Sequence, residues 1–355
     1  MTPEQSKSVS SIPHFNGLTT RFPGLLLSAG IATAALGLSQ FALFSTLGPL
    51  TLAMLLGLLL GQRVSADLRH RTGPGTAVAK TQLLRLGIIL YGLRIGFDDL
   101  LHVGTPALLT DAIVVLGVFS LAGWVGTRFL KMEARTALLV GAGSAVCGAA
   151  AVLAMAPALR ARERDIPVAI ATVVLFGTVS MLLYPWLWTL APVQQLFGGS
   201  DLAFGRYLGS TIHEVAQVAA AAGALDPAAG QAAVITKLIR VILLVPLIFL
   251  VSAWFARREN SNETDKVKMP VPWFALLFLL MPLVNASGVL DAQALGLIGQ
   301  LDSFLLAMAM AALGVETQLA TLRYSGAKPM LLGAVLFVVL VFGGPVVALL
   351  AGTLG

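Results

Sequence analysis

The sequence predicts an all-α polytopic membrane protein with about 9–11 transmembrane segments, two of them discontinuous. Of the 355 residues, 57% are hydrophobic and only 11% are charged, and the mean hydropathy is +0.88. Apolar runs long enough to cross a bilayer core of roughly 30 Å recur along the whole chain. Because these runs are continuous rather than alternating, they exclude an outer-membrane β-barrel.

The apolar runs place nine spans after a polar N-terminal tail. The tail covers residues 1–21, and residues 22–355 form a single transmembrane domain. The first run, Pro23–Leu43, is longer than the apolar part of a signal peptide, so it is interpreted as a retained span. Stretches 136–160 and 203–226 are interpreted as broken helices. The nine spans are 23–43, 46–62, 78–97, 106–127, 166–190, 231–255, 272–288, 294–316 and 329–353.

The basic charge of the chain is an orientation signal rather than a sign of nucleic-acid binding. The net charge is +6 and the pI is about 9.8, and Arg and Lys cluster in short loops between apolar runs. Such loops stay on the cytoplasmic side. The rule predicts a cytoplasmic N-terminus and places Asp98 and Asp99 outside. The one cysteine, Cys147, excludes an internal disulfide.

The Arg-rich turn Arg160–Arg164 decides how the broken stretches meet the membrane. This turn lies inside only if residues 136–160 form a re-entrant hairpin that enters from the cytoplasm. Residues 203–226 would then enter from the outer side, where the flanking loops carry no basic residue. The alternative is that both stretches cross fully as interrupted helices, with their breaks at similar depth.

An internal repeat relates the two broken stretches. Gly143–Leu159 and Gly209–Leu225 align without a gap and match at 8 of 17 positions. The same offset of 66 residues lays 166–190 over 232–256. The pattern predicts a hairpin-plus-span unit that is used twice in opposite orientations, an inverted repeat. A weaker repeat places Arg94 over Glu316, which predicts that these two charges lie near span ends or pair with one another.

The breaks carry the candidate substrate site. A helix that begins near Cys147 and another that begins near Glu214 would direct free N–H groups and partial positive charge at one point. Two such ends form a site for an anion, and neighbouring hydroxyls would add donors. The alternative is plain helix capping and close packing by small residues. The candidate substrate-binding residues are Gly143, Ser144, Ala145, Val146, Cys147, Gly148, Ser210, Thr211 and His213.

Ionisable residues beside the second break are candidates for ion coupling. Charged side chains inside a span are costly and usually face a cavity or a partner. Glu214 and His213 would carry a proton or cation, and the alternative for Glu214 is a cap carboxylate or an internal ion pair. Lys237 and Arg240 share one helix face and would either neutralise Glu214 or attract an anionic substrate. The candidate ion-coupling residues are Glu214, His213, Gln217, Lys237 and Arg240.

Sequence motifs argue against several other functions. No phosphate-binding P-loop, dinucleotide-binding glycine pattern, zinc-ligand spacing or HExxH motif occurs in the chain. We therefore expect no enzymatic activity, no cofactor, no metal and no catalytic residue. The expected partners are a small inorganic or organic anion, a coupling H+ or Na+, the lipid bilayer and no nucleic acid, with a homodimer left open.

Three segments resemble a known family. They are Gly143-Ser-Ala-Val-Cys-Gly-Ala-Ala, Ala169–Pro185 and Thr211-Ile-His-Glu-Val-Ala-Gln-Val. The chain, from about residue 45 onward, is similar to the YeiH-type family of bacterial inner-membrane proteins, which carries a sulfate-exporter label. The resemblance also implies kinship with the sodium/proton antiporter and bile-acid symporter superfamily. Members of that superfamily bind substrate at crossed, broken helices and move by an elevator-type motion.

Together these observations predict a secondary-active transporter of a small anion in a bacterial cytoplasmic membrane. The expected substrate is sulfate or a related oxyanion, moved by alternating access and coupled to H+ or Na+. The first alternative is an anion channel or uniporter that uses the same broken-helix site. The second is an intramembrane enzyme that uses Cys147 with His213.

Overall fold

The structure, a computed structural model, describes residues 16–41, 48–258, 272–318 and 326–352. These residues form α-helices with short π and 3₁₀ segments, and no strand occurs among them. Six of the described helices are long and apolar enough to cross a membrane. Large apolar side chains such as Leu26, Leu116 and Phe342 are exposed, whereas Asp111 and Arg240 are buried. This distribution fits a protein surrounded by lipid, and the predicted fold class is confirmed.

The described helices have the following bounds. In chain order they are α1 (Asn16–Leu38), α2 (Pro49–Arg63), α3 (Ala66–Val78), α4 (Leu84–Tyr91), α5 (Phe97–Trp124), α6 (Ala134–Ala145), α7 (Ala149–Ala158), α8 (Asp165–Trp188), α9 (Ala191–Leu196), α10 (Asp201–Thr211), α11 (Val215–Ala222), α12 (Pro227–Ile242), α13 (Leu244–Arg258), α14 (Trp273–Ala286), α15 (Ala292–Glu316) and α16 (Ala327–Gly352). A π segment (Ala79–Leu83) joins α3 to α4, a 3₁₀ turn (Gly92–Arg94) follows α4, and a second π segment (Val125–Phe129) follows α5.

The helices divide into two bundles. Helices α1 to α4, α14 and α15 pack on one another and are called here the support bundle. Glycines let their backbones approach closely: Gly24 and Gly75 meet between α1 and α3, and Gly57 and Gly314 meet between α2 and α15. Helices α5 to α8, α10 to α13 and α16 pack on one another as the hairpin bundle. Contacts between the bundles come mainly from α11 on α2 and α15, and from α14 on α5 and α12.

Helices α6 and α7 form a re-entrant hairpin whose two open ends lie together. Arg135, at the start of α6, donates a hydrogen bond from Nη1 to the carbonyl oxygen of Arg160 at 3.0 Å. Glu133 and Arg162 form an ion pair at 2.9 Å across the same ends. Since α6 has 12 residues, it extends about 18 Å, roughly half of a bilayer. The alternative of a fully crossing interrupted helix does not fit these contacts.

Helices α10 and α11 form a second hairpin that opens at the other end of the bundle. Gly205 packs on Ala229 and Gly209 packs on Ala233, so α10 runs parallel to α12. Ala222 packs on Gly230 and Ile212 bonds to Lys237, so α11 runs antiparallel to α12 and therefore to α10. The 24-residue helix α8 connects the first hairpin to the second. At its C-terminal end Trp188 Nε1 donates to Asp201 Oδ1, at the start of α10, at 2.9 Å. The two hairpins therefore enter the bundle from opposite ends.

Several predicted boundaries are wrong. Helix α1 begins at Asn16, before the start at Pro23 predicted for the first span, and residues 1–15 lie outside the described residues. The division into a tail, 1–21, and a transmembrane domain stays a prediction. The span predicted at 78–97 is the second half of a helical segment from Ala66 to Arg94, whose first half is too polar for a hydropathy-based prediction. Helix α5 begins at Phe97, nine residues before the predicted start at 106. The ends of the spans predicted at 23–43, 46–62 and 329–353 fall partly on residues that are not described.

Candidate functional site

The two hairpin tips meet inside the hairpin bundle. The first tip is Val146-Cys147-Gly148, between the end of α6 and the start of α7. The second tip is Ile212-His213-Glu214, between α10 and α11. Val146, Ile212 and His213 are fully buried, and Cys147 is nearly so. The breaks lie where the aligned Gly-Ser motifs predict them.

Lys237 and Arg240 hold the two tips together. Lys237 Nζ donates to the carbonyl oxygen of Val146 at 2.6 Å and to that of Ile212 at 2.5 Å, so one ammonium group joins both tips. Arg240 donates to the carbonyl oxygens of Ser144 at 2.6 Å and Ala145 at 2.5 Å. Its Nη1 also donates to the carbonyl oxygen of Ser210, at the end of α10.

These contacts give the cation pair a definite electrostatic role. The last carbonyl groups of a helix lack partners within the helix and carry partial negative charge. Lys237 and Arg240 lie one turn apart on α12 and neutralise the C-terminal ends of α6 and α10 at the same time. All hydrogen bonds described for these two side chains go to main-chain carbonyls. Lys237 also interacts electrostatically with Glu214. That the pair neutralises Glu214 or attracts an anionic substrate stays a prediction.

Glu214 lies at the N-terminal ends of α7 and α11, whereas Lys237 and Arg240 bind the C-terminal ends of α6 and α10. Its Oε1 accepts a hydrogen bond from the backbone N–H of Ala149, the first residue of α7, at 3.2 Å. Its own backbone N–H donates to Gln217 Oε1 at 3.2 Å, at the start of α11. A methyl group at Gly148 would overlap the Glu214 side chain, and Gly148 has a φ of +69°. Glu214 therefore sits at the N-terminal ends of both returning helices, the position predicted for an anion.

Gln217 connects the second tip to the crossing helix α8. Its Nε2 donates to Thr178 Oγ1 at 3.4 Å and approaches the carbonyl oxygen of Val174 at 3.5 Å. The approach requires glycine at Gly177, because a methyl group there would overlap the Gln217 amide. Gln217, a candidate ion-coupling residue, is thereby linked both to Glu214 and to α8.

The remaining predicted substrate residues fall into two sets. Ser210 and Thr211 donate their hydroxyls to the carbonyl oxygen of Tyr207 within their own helix, at 3.1 and 2.6 Å. Gly143 is a packing position against Val152 and Val173. In contrast, Ser144 Oγ and both ring nitrogens of His213 are buried without a hydrogen-bond partner.

Asp111 on α5 is a residue of this region that sequence reasoning missed. It is fully buried, and neither of its carboxyl oxygens has a hydrogen-bond partner. It is close enough to Arg240 and Lys237 to interact with them electrostatically. The available signal was an acidic residue inside the apolar run 106–127. Tyr184 and Thr236 also have buried hydroxyl groups without a described partner.

Lys80 brings a support-bundle charge toward the tips. It lies in the π segment, pairs with Glu316, and is close enough to Glu214 to interact electrostatically. Of the two alternatives for Arg94 and Glu316, pairing with each other is wrong. Arg94 pairs with Asp302, whereas Glu316 pairs with Lys80 and accepts from Thr76 Oγ1 at 2.8 Å. Both charges do lie at helix ends, as expected from the weaker repeat.

Most tip residues are buried, whereas Glu214 is partly exposed. Within the described part of the chain the tips hold no cluster of metal-ligating side chains. No group of three or more His, Cys, Asp or Glu residues with metal-binding geometry occurs among the described residues. Open hollows lie elsewhere on the surface, one beside Arg69 and His70 and one beside Arg94.

Comparisons with known proteins define the family. The family model described as "Conserved hypothetical protein 698" matches residues 23–333. The UPF0324 inner membrane protein YeiH of Escherichia coli (strain K12) is 43% identical over 324 residues, covering 91% of this chain and 92% of the relative. The chain belongs to the UPF0324 family of membrane proteins. A family member from Yersinia pestis is 42% identical over 349 residues, covering 97% of this chain and 96% of that protein. One from Pseudomonas aeruginosa is 44% identical over 329 residues, with 91% and 92% coverage.

Membership of the UPF0324 family confirms the resemblance seen in the tip motifs. Family membership and the six long apolar helices together show that the chain is an integral inner-membrane protein. No solved structure matches the chain. The cytoplasmic position of the N-terminus stays a prediction.

Proposed function

We propose that the protein is a secondary-active transporter of a small anion that works by alternating access. One observation carries the proposal: a single cation pair clasps two opposed hairpin tips while Glu214 caps the opposite ends of the same broken helices. Non-helical backbone at membrane depth is tolerated only where protein or a water-filled path satisfies it. Broken helices that meet near the midplane are the usual substrate site of secondary transporters.

The chemistry at the start of α7 favours an anionic substrate. A carboxylate oxygen of Glu214 already accepts from the Ala149 N–H, which means that this helix end can bind an anionic oxygen. We infer that a substrate oxyanion takes this position when Glu214 is protonated or withdraws. Ser144 and His213, whose polar atoms have no partner, would then complete the binding site. Sulfate or a related oxyanion fits this donor set.

Coupling to H+ or Na+ would follow from the same exchange. If Glu214 must gain a proton or a cation before it leaves the α7 end, each substrate ion enters with a coupling ion. Gln217 holds the backbone of Glu214 in place and limits where the carboxylate can go. The proposal involves no chemical transformation of the substrate.

The division into two bundles supports an elevator-type motion. Few elements join the bundles. Among the described residues, Thr51 Oγ1 donates across to the carbonyl oxygen of Ala220 at 3.3 Å, and Gln231 Nε2 donates to that of Arg94 at 3.1 Å. In the proposed cycle the hairpin bundle slides along the support bundle and carries the tips between the two sides. The opposite directions of the hairpins support an inverted repeat, which gives the two end states related geometry.

The proposal is tested by flux into proteoliposomes. An imposed proton or sodium gradient should drive sulfate uptake by the parent protein and fail to drive it in Glu214→Gln. The matched control is Glu133→Gln, which removes an acid from a partly exposed ion pair at the open end of the first hairpin and should retain flux.

Two results would contradict the proposal. Equal gradient-driven flux in the parent and in Glu214→Gln would remove Glu214 from coupling. Conductance in planar bilayers without saturable counterflow would identify an anion channel or uniporter instead of a secondary transporter.

A further inference from the structure

Asp111 is a buried acid that the proposed transport site does not use. It lies in the middle of α5, is fully buried, and has two carboxyl oxygens without hydrogen-bond partners. A charged carboxylate in such surroundings is very costly unless a proton or a nearby cation compensates its charge. Packing alone does not require a carboxyl group here, because neither carboxyl oxygen makes a described hydrogen bond.

The two cations that interact with Asp111 already donate hydrogen bonds to other groups. Arg240 and Lys237 interact with it electrostatically, yet their hydrogen bonds go to the tip carbonyls. The charge of Asp111 is thus left without a direct ion pair in this arrangement. The arrangement is the one expected when Asp111 carries a proton and Arg240 is free to bind the carbonyls.

We propose that Asp111 is a proton-binding site that sets how firmly Arg240 clasps the two hairpin tips. With the proton bound, Arg240 stays on the carbonyls of Ser144, Ala145 and Ser210. When the proton leaves, the carboxylate attracts the guanidinium group and forms an ion pair with it. The carbonyls then lose their donor, and the tips loosen. This inference deepens the proposed function, on which its role in transport rests, but the proton site can be tested without transport.

The surroundings of Asp111 include titratable groups on the other elements that pack against α5. Helix α14, which packs on α5, carries no titratable residue. His213 and Glu214 each interact electrostatically with Lys237. The titratable residues on the remaining elements packed against α5 are Arg128, Arg135, Asp201, Arg206, Tyr207, Lys237, Arg240 and Lys328.

The native Cys147 provides a reporter for the tips. It is the one cysteine of the chain, and it is nearly buried in the first tip, next to Val146, whose carbonyl oxygen accepts from Lys237. The rate of its reaction with a small maleimide would be measured in purified protein from about pH 5 to about pH 9. This range includes the pKa values that buried carboxyl groups reach. Thiol chemistry itself depends on pH, so the parent rate is divided by the rate of Asp111→Asn at each pH.

The proton site predicts how this ratio behaves. Asp111→Asn mimics the protonated acid, so the ratio should be close to one at low pH and rise at least about tenfold at high pH. Asp302→Asn is the matched control, because Asp302 is also fully buried but is paired with Arg94. The reaction rate of Asp302→Asn, divided by that of Asp111→Asn, should change with pH in the same way as the parent ratio. A ratio near one across the whole range would overturn the proposal.

A second measurement covers the case in which Asp111→Asn does not fold. Infrared difference spectra on a pH step should show loss of a protonated carboxylic C=O band in the parent, and this band should move in Asp111→Glu. A parent without such a band, or a band unchanged in Asp111→Glu, would also overturn the proposal. Failure of the parent to transport any anion would contradict the proposed function while leaving both readouts intact.

Discussion

The two hairpin tips have the same plan but different chemistry. The first tip, Val146-Cys147-Gly148, offers only backbone groups and a buried thiol. The second tip, Ile212-His213-Glu214, adds an imidazole and a carboxylate at the corresponding positions. The carboxylate of the second tip binds the helix end of the first, whereas Lys237 binds a carbonyl of each. The difference indicates that the first hairpin supplies backbone groups that bind, whereas the second supplies the side chains that can change charge.

The largest expected effect comes from removing the shared clasp. Arg240→Met should lower the free energy of unfolding by at least about 3 kcal/mol, because buried carbonyls of both hairpins lose their donor. The measurement is denaturant unfolding of the detergent-solubilised protein. Arg162→Met, which removes an exposed ion pair at the open end of the first hairpin, should change it by less than about 1 kcal/mol. Equal stability of the two variants would show that the tips do not depend on Arg240.

A smaller effect is expected from crowding the contact between the tips. Gly148→Ala should cost about 2–4 kcal/mol, because backbone strain at positive φ adds to the overlap with Glu214. Gly198→Ala has a similar φ of +61° but open space around it, so it should cost only about 1 kcal/mol. If thermal unfolding shows the same loss for both variants, Glu214 does not lie against Gly148.

The smallest effect compares the serines that occupy the same place in the two motifs. Ser210→Ala removes a hydroxyl that bonds to Tyr207 and should cost up to about 1 kcal/mol. Ser144→Ala removes a hydroxyl without a partner and should leave stability unchanged within about 0.5 kcal/mol. In flux assays Ser144→Ala should instead raise the substrate concentration needed for half-maximal rate. A reversed order of these effects would exchange the roles assigned to the two serines.

Sequence reasoning located the breaks but not all of their partners. Glycine and serine beside polar residues in an apolar chain indicate where helices must end, and loop charges indicate opposite entry. The partners of Lys237 and Arg240 were not visible, because backbone carbonyls have no signature in a sequence. Asp111 was missed because its neighbours depend on how α5 packs against α12, about 126 residues further along the chain. The Arg94–Asp302 pair was missed for the same reason.

Hydropathy did not detect where helices with polar ends begin. The segment Ala66–Arg94 begins with polar and charged residues, of which Asp67 and Arg71 are exposed, so hydropathy detected only its later part. Its π segment positions Lys80 toward Glu316, and no residue pattern predicted that turn. Local sequence therefore identified apolar segments well and identified long-range charge pairs poorly.

The central claim, that the two tips touch, is tested most directly by a crosslink to the native Cys147. Lys237 Nζ bonds both Val146 and Ile212, so the tips can be no further apart than two hydrogen bonds allow. His213→Cys should form a disulfide with Cys147 under mild oxidation, and a protease site placed at the exposed Gly198-Gly199 turn would make it visible on a gel. The two fragments should stay joined until a reductant is added, whereas Ser200→Cys, at the open end of the second hairpin, should give separate fragments. Separate fragments from oxidised His213→Cys would contradict the account.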